Sequence, residues 1–168
     1  YLRSFGLGNK LGVDVAQENK GFLPSPEFYD NLYEEVITGW KSTYILSLGI
    51  GQGEMQLTTV QMANLAAILA NRGYYITPHL VKGFRNVQNN QPDIQFGKRR
   101  VPIDPQYFEP VINGMEKVVI SGTARNAAIP DVAVCGKTGT SQNPHGKDHS
   151  VFFAFAPKEN PKIAIAVF

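Results

Sequence analysis

Three short apolar runs with the length of β-strands lie in the C-terminal part of the chain, at residues 132–138, 150–156 and 162–168. In the middle run both alternating sets of side chains are apolar, so both of its faces have to be covered by other elements. Only residues 157–161 separate the last two runs, and so short a connection favours antiparallel pairing. The three runs predict an antiparallel sheet flanked by helices on both faces, an α/β (α+β) architecture.

A first helix is predicted ahead of the sheet, with its start at a capping box formed by Thr58 and Gln61. Its apolar side chains recur at helical spacing along one face: Met62, Leu65, Ala66 and Leu69. The sequence Asn-Arg-Gly at residues 71–73 predicts the end of the helix, because glycine readily adopts the left-handed conformation that follows a helix.

A second helix is predicted from a stripe of apolar residues: Val111, Ile112, Met115 and Val119. Proline is accepted at the first position of a helix but not in its interior. We therefore place the start of this helix at Glu109 and Pro110, with a separate turn at residues 105–108.

The remaining segments have weaker patterns. Residues 1–43 are rich in glycine, proline and aromatic residues, which predicts a long irregular segment with one short helix. Residues 74–76 and 79–84 read as one or two strands around Pro78, and the polar residues 86–100 as an exposed loop or ribbon.

The composition indicates a folded domain. The chain has 168 residues, of which 43% are hydrophobic and 18% are charged, below the usual charged share of about 25%. A net charge of +2 is too balanced to indicate a nucleic-acid partner. The one dense basic cluster, Lys98-Arg99-Arg100, is interpreted as a solvated turn.

The single cysteine, Cys135, excludes an internal disulfide. A lone cysteine in an apolar run usually acts as a small buried hydrophobe, whereas a nucleophilic one needs a histidine base and an electropositive setting. No apolar run approaches the ~18 residues of a membrane span. The first residue is not methionine and the last lies inside a strand-like run, so we expect a piece of a longer protein.

The most informative motif for function is Lys137-Thr138-Gly139-Thr140, which directly follows an apolar run. A lysine after a strand is often just the first solvated residue. A glycine that interrupts a strand is unfavourable, however, unless something approaches the backbone closely. Along a strand, Lys137 and Gly139 share one face and the two threonines share the other. An ammonium group, two hydroxyls and a bare glycine at one strand end suit a small carboxylate beside a reacting carbonyl.

Other candidate sites are weaker. The glycines of Gly49-x-Gly51-x-Gly53 lack the Gly-Lys-Ser/Thr of a phosphate loop and are interpreted as a close-packed turn. His145, Asp148 and His149 lack a fourth metal ligand, so we expect no metal or cofactor, and His149 is interpreted as a structural partner at a strand entrance. Ser121 and Ser141 have no identifiable base and are interpreted as turn and cap residues.

Lys-Thr-Gly is also one of three motifs of penicillin-interacting serine enzymes, beside Ser-x-x-Lys and a Ser-Asp-Asn-type triplet. Further segments resemble class B penicillin-binding proteins, in particular the elongation-type penicillin-binding protein 2. These segments are residues 5–26, the glycine run at 49–53, Thr58-Thr59-Val60-Gln61-Met62-Ala63, Gly122-Thr123-Ala124 and residues 148–157. Together they extend over nearly the whole chain.

The resemblance implies the fold shared by transpeptidases and serine β-lactamases. It implies an enzyme of peptidoglycan biosynthesis that attacks the D-Ala-D-Ala bond of a stem peptide through a serine acyl-enzyme, and that β-lactams trap. Lys137 would supply a positive charge for the terminal carboxylate, and Thr138 and Thr140 would supply hydroxyls. The Thr140 N–H would serve the oxyanion hole, and Gly139 would leave room for substrate. Such enzymes maintain the cell wall and cell shape at the periplasmic face of the bacterial inner membrane, with other membrane proteins of cell-wall synthesis as partners.

The sequence departs from the family pattern in one important respect. It contains no Ser-x-x-Lys, and no Ser-x-Asn triplet precedes Lys137, where the family has both; Ser141-Gln142-Asn143 follows the Lys-Thr-Gly and is not assigned to that motif. We therefore expect residues 1–168 to be the C-terminal part of an incomplete transpeptidase domain, inactive alone. The alternative is a penicillin-recognising sensor or a catalytically silent scaffold of the same fold. A β-lactamase is a third option.

Overall fold

The computed structural model describes residues 1–83, 96–143 and 145–168. Three α-helices lie in this part of the chain: α1 (Pro26–Leu32), α2 (Thr59–Ala70) and α3 (Phe108–Ile120). The strands are β1 (Tyr74–Ile76), β2 (Lys98–Arg100), β3 (Cys135–Ser141), β4 (His149–Ala156) and β5 (Ile163–Val167). Short 3-10 helices are found at Leu2–Phe5, Ser42–Ile50, Pro105–Tyr107 and Arg125–Ala127.

The last three strands form one antiparallel sheet in the order β3-β4-β5. This confirms the predicted sheet and its central strand. The predicted start of the first strand was wrong, because β3 begins at Cys135 instead of residue 132. The residues before it bond elsewhere: Val132 forms an isolated bridge with Ile129, and the Ala133 carbonyl accepts the Lys158 N–H at 2.8 Å. The Lys-Thr-Gly-Thr motif consequently lies within the strand and not at its end.

Both faces of β4 are covered, as predicted. On one face, Cys135 and Phe155 pack with buried residues of α2 and α3, such as Ile68 and Ile112. On the other face, Ala154 packs against a smaller cluster from the end of α3 and the segment that follows it. The cover is thinner on this second face, where the side chains of β5 remain exposed: Ile163, Ile165 and Val167.

Helix α2 begins and ends where the sequence predicts, although the left-handed residue directly after its C-cap is Arg72 (φ 53°) and not the predicted glycine. Thr58 and Gln61 form both hydrogen bonds of the capping box, and the Gly73 N–H bonds the Ile68 carbonyl at 2.9 Å. More of the helix surface is buried than the predicted apolar stripe, because α2 also packs against the N-terminal segment. Gln61 is 1% exposed, and its Nε2 lies within hydrogen-bond distance of three carbonyl oxygens of that segment: Gly6, Asn9 and Lys20. Met62 and Leu65, by contrast, are only half-buried.

Helix α3 starts earlier than predicted. The Asp104 carboxylate accepts the Gln106 N–H at 3.0 Å, which begins a 3-10 turn that leads directly into α3 at Phe108. Phe108 is 3% exposed and Val111 is 49% exposed. The buried stripe therefore starts at Phe108, one helical turn before Ile112, and Val111 was wrongly assigned to it.

The basic triplet was also assigned wrongly. Lys98–Arg100 forms strand β2, antiparallel to β1, although all three side chains are exposed. The Lys98 ammonium lies 4.6 Å from the centre of the Tyr74 ring, a cation–π distance that fits cross-strand pairing. The predicted strand at residues 79–84 is not formed over 79–83; its last residue, Phe84, lies outside the described residues, as do 86–95 of the predicted loop.

The N-terminal segment is irregular and contains one short α-helix, as predicted. Ser25 caps α1, and Pro26 occupies its first turn. The Asp14 carboxylate of this segment binds a later part of the chain, because it accepts the N–H groups of Leu80 and Val81, both at 2.7 Å. Those two donors are thereby withheld from a strand ladder. None of the helices described is long and apolar enough to cross a membrane.

Candidate active site

Strand β3 carries the motif from the core to the surface. Cys135 and Gly136 are buried, Thr138 is half-buried, and the remaining residues from Lys137 onward are exposed. The ladder with β4 is continuous from Cys135 to Ser141. Lys137 and Gly139 therefore project from one face of the sheet and Thr138 and Thr140 from the other. Within the described residues β3 pairs with β4 alone, so its other edge is open.

The Lys137 ammonium is free of carboxylates in the part of the chain described. Its Nζ donates a hydrogen bond to the neighbouring Thr138 carbonyl at 2.6 Å, and the two ion pairs of the described residues lie elsewhere, at Arg72–Glu109 and Lys158–Glu116. The positive charge is consequently available to an anion at the open edge of β3.

The Thr138 hydroxyl has a defined partner. Its Oγ1 lies 2.7 Å from Oγ1 of Thr123, the usual distance for a hydrogen bond between two hydroxyl groups. Thr123 belongs to the turn between α3 and the 3-10 helix Arg125–Ala127. The sequence alone indicates no role for Thr123, whose one signal is the Gly122-Thr123-Ala124 segment of the family resemblance.

Two glycines of β3 differ in what surrounds them. A Cβ built on Gly136 would lie 2.6 Å from Cζ of Phe152, so packing requires glycine there. A Cβ on Gly139 would lie 3.7 Å from Cβ of Val151, an ordinary contact distance. Packing among the described residues therefore does not require glycine at position 139.

A cavity of about 570 Å³ lies beside the end of β3. The glycine-rich segment forms one side, with Gly51, Gln52, Gly53 and Met55. The end of β3 and the loop after it form the other, with Ser141, Gln142, Asn143 and Asp148. Positive φ angles at Gly51 and Gly53 (77° and 78°) confirm a turn here. The predicted close packing holds only at Gly53, where a Cβ would lie 2.7 Å from Oγ of Ser47, whereas a Cβ at Gly51 would have no described neighbour within 4 Å. Nothing in the sequence indicates that this turn faces the Lys-Thr-Gly strand.

A buried tyrosine holds the glycine-rich turn against α1. The Tyr29 hydroxyl donates to the Glu54 carboxylate at 2.7 Å, and Tyr29 is 2% exposed. Burial, with a further contribution from the Glu54 carboxylate, raises the pKa of Tyr29 to about 12. The phenol thus remains protonated and continues to donate this hydrogen bond at neutral pH.

The remaining candidates have structural surroundings. Cys135 is fully buried, as predicted, and this burial raises the pKa of its thiol to about 11. His149 opens β4 and stacks on Phe168 with ring centres 4.9 Å apart. Ser121 is the C-cap residue of α3, whereas Ser141 pairs with His149 in the sheet and is not the predicted turn or cap residue. Across the described ranges, no cluster of three His, Cys, Asp or Glu residues could hold a metal ion.

The sequence of residues 1–168 matches the family described as "Penicillin binding protein transpeptidase domain". The chain therefore belongs to the penicillin-binding protein transpeptidase family, as its motifs predicted. It is 33% identical to the peptidoglycan D,D-transpeptidase MrdA of Acinetobacter baumannii, covering 99% of this chain and 27% of that protein. It is 30% identical to MrdA of Escherichia coli K12, covering 99% and 29%. The chain thus spans less than a third of the length of these curated relatives.

Solved structures of penicillin-binding protein 2 have the same fold. Pseudomonas aeruginosa PBP2, in complex with WCK 5153, superposes with a TM-score of 0.82 at 37% identity, covering 98% of this chain and 37% of that one. Helicobacter pylori PBP2, in a complex with MreC, gives a TM-score of 0.78 at 27% identity, covering 98% and 30%. The predicted transpeptidase-like fold and the resemblance to the penicillin-binding protein 2 type are both confirmed.

Proposed function

We propose that residues 1–168 are the C-terminal part of the transpeptidase domain of a peptidoglycan D,D-transpeptidase. The complete enzyme would cross-link stem peptides through a serine acyl-enzyme, and β-lactams would acylate the same serine. The observation that carries the proposal is the exposed Lys137-Thr138-Gly139-Thr140 segment on the open edge of β3. The family membership and the transpeptidase relatives support it.

The open edge suits a ligand that lies along the strand. A carboxylate there could reach side chains from both faces, the Lys137 ammonium on one and the hydroxyls of Thr138 and Thr140 on the other. A hydrogen bond from a charged donor contributes about 1.5–3 kcal/mol. Gly139 would leave room for the ligand backbone, in keeping with the finding that packing among the described residues does not require glycine there.

The backbone of Thr140 is the proposed oxyanion donor on this side of the site. Residues two apart in an antiparallel strand direct their N–H and C=O groups toward the same edge. The Thr138 carbonyl accepts a hydrogen bond from the Lys137 ammonium at 2.6 Å. This contact supports the proposal that the backbone groups of Thr138 and Thr140 point toward the open edge of β3, away from β4. One donor of this kind is worth about 3 kcal/mol of transition-state stabilisation.

The nucleophile and its general base would come from a Ser-x-x-Lys and a Ser-x-Asn motif elsewhere in the complete protein. The proposed location is the periplasmic face of the bacterial inner membrane, with an N-terminal anchor outside this chain. Proposed partners are the D-Ala-D-Ala stem peptide and membrane proteins of cell-wall synthesis. The solved complex of Helicobacter pylori PBP2 with MreC supports the second class of partner.

The proposal is tested by labelling with a fluorescent penicillin. We expect the complete protein to acquire a stable, denaturation-resistant label and the isolated 168-residue chain to remain unlabelled, since no serine in it precedes a lysine at Ser-x-x-Lys spacing. A stoichiometric label on the isolated chain would contradict the assignment of the nucleophile. Turnover of a D-Ala-D-Ala peptide by the complete protein separates a transpeptidase from a penicillin-recognising sensor, which would be acylated without turnover.

A further inference from the structure

We infer that Thr123 is a positioning residue for Thr138, and that its hydroxyl orients the Thr138 hydroxyl toward the carboxylate of the bound substrate. The inference rests on the proposed function, since it assumes that Thr138 contacts that carboxylate. Its direct basis is the distance of 2.7 Å between the two Oγ1 atoms, which joins the turn after α3 to the candidate active-site strand.

The backbone around Thr123 is fixed on both sides. The N–H groups of Gly122 and Ala124 both bond to the Val118 carbonyl, each at 3.1 Å. A Cβ at Gly122 would lie 2.7 Å from Cα of Val118, so this close turn requires glycine. Ala124 is buried in the cluster beneath the sheet. The Thr123 side chain therefore projects from a turn whose position is set by α3 and by the core.

Both side chains of the pair are stiff. Threonine is branched at Cβ, which restricts its first side-chain torsion. Thr138 is also half-buried and stands directly opposite Phe152 in the sheet. Two stiff side chains on fixed backbones hold their hydroxyls together with little loss of conformational entropy.

The direction of the hydrogen bond follows from the inventory of protons. Each hydroxyl has one proton to donate and two lone pairs that accept. If Thr138 gives its proton to a carboxylate, then Thr123 has to be the donor within the pair. The resulting chain runs from Thr123 to Thr138 to the carboxylate, and neighbouring hydrogen bonds in such a chain strengthen one another. Without the Thr123 hydroxyl, the Thr138 proton would be free to rotate away.

The inference predicts a selective loss of acylation in the complete protein. The variant Thr123→Val removes the hydroxyl and keeps the side-chain shape, so acylation by benzylpenicillin should slow about three- to tenfold, the range expected for one neutral hydrogen bond. Acylation by benzylpenicillin methyl ester, which has no free carboxylate, should slow much less. A purely structural role of Thr123 would affect both compounds alike.

Two further variants serve as controls. Thr123→Ser keeps the hydroxyl and should retain most of the wild-type rate. Ser121→Ala removes an exposed hydroxyl from the same turn, one that lies 3.4 Å from the Lys117 carbonyl of α3, so it should leave the rate unchanged. Should Thr123→Val fold poorly, the ratio of the two acylation rates in Thr123→Ala provides the same test.

A double-mutant cycle with Thr138→Val separates failure of the inference from failure of the proposed function. We expect Thr123→Val to have almost no further effect once Thr138 is valine. A normal rate for Thr123→Val beside a slow Thr138→Val, or equal losses from Thr123→Val in both backgrounds, would overturn the inference alone. A normal rate for Thr138→Val would overturn the inference together with the proposed role of Thr138.

Discussion

The two halves of β3 have the same backbone pairing and opposite surroundings. Cys135 and Gly136 are buried between the helices and β4, whereas Lys137, Gly139 and Thr140 are exposed on a strand edge that is open among the described residues. In the buried half, packing decides which residue is tolerated. In the exposed half, packing among the described residues does not require glycine at position 139, and we propose that the residues of this half contact what binds along the edge. The comparison separates residues that stabilise the fold from residues proposed to contact substrate.

The largest expected effect concerns the exposed half. Lys137→Ala in the complete protein should slow acylation by a β-lactam about ten- to a hundredfold, because it removes the cation proposed to bind the substrate carboxylate. The melting temperature should hardly change, because among the described residues the exposed side chain bonds only to the carbonyl of its neighbour. The measurements are the second-order acylation rate constant and the melting temperature.

Lys147→Ala is the control for Lys137→Ala. Lys147 is exposed and lies in the loop between β3 and β4, so its replacement removes a charge without touching the motif and should leave the melting temperature unchanged. A wild-type acylation rate for Lys137→Ala would show that the lysine is not part of a carboxylate site. A fall in melting temperature large enough to explain the loss would place Lys137 with the structural half.

A second prediction concerns the buried half. Cys135→Ser should destabilise the protein by about 1–3 kcal/mol, because a hydroxyl would replace a thiol in an apolar cluster without an assured hydrogen-bond partner. Ser150→Ala, at an exposed position of β4, should change stability by less than about 0.5 kcal/mol. Urea unfolding measures both. A Cys135→Ser protein as stable as the wild type would mean that the start of β3 is less tightly packed than its full burial indicates.

A smaller effect follows from the pKa of the Cys135 thiol, which burial raises from 9.0 to about 11. Between these values the unfolded chain loses the thiol proton while the native protein keeps it. The unfolded state then binds fewer protons, so the contribution of Cys135 to stability falls as the pH rises from 9 to 11. Stability should therefore decrease more steeply over this range in the wild type than in Cys135→Ala. Equal slopes in urea unfolding at successive pH values would contradict the prediction.

The sequence predicted the sheet well because its signals are local. Apolar side chains on both faces of the run at residues 150–156, and the short connection after it, are sufficient to predict β4, β5 and their antiparallel pairing. The capping box of α2 is equally local, since Thr58 and Gln61 satisfy each other within one turn. The start of β3 could not be predicted in this way. The Ala133 carbonyl, just before β3, accepts a hydrogen bond from the N–H of Lys158, which lies after β4 in the sequence.

The candidate site was predicted only in part. The motif itself is visible in the sequence, and so is the alternation of its side chains. The contact between Thr123 and Thr138, and the glycine-rich turn beside the end of β3, depend on how α3 and α2 pack against the sheet. Buried polar residues were missed for a similar reason: Gln61 reads as part of a cap, whereas its side chain also bonds an N-terminal segment more than 40 residues away.

The most direct test of the division of β3 is a matched pair of glycine substitutions in the complete protein, each measured for unfolding free energy and for acylation by benzylpenicillin. Gly136→Ala should lose about 1–3 kcal/mol of stability, because its methyl group would clash with the Phe152 ring. Gly139→Ala should be as stable as the wild type, since its methyl group would meet Val151 at an ordinary distance.

For acylation the order of the two variants should be reversed, with Gly139→Ala the more strongly affected. Gly139→Ala should be acylated about tenfold more slowly, because its methyl group would intrude on a ligand lying along the open edge, whereas Gly136→Ala should acylate at close to the wild-type rate while it remains folded. A stable Gly139→Ala protein with a wild-type acylation rate would contradict the claim that the exposed half of β3 binds the substrate.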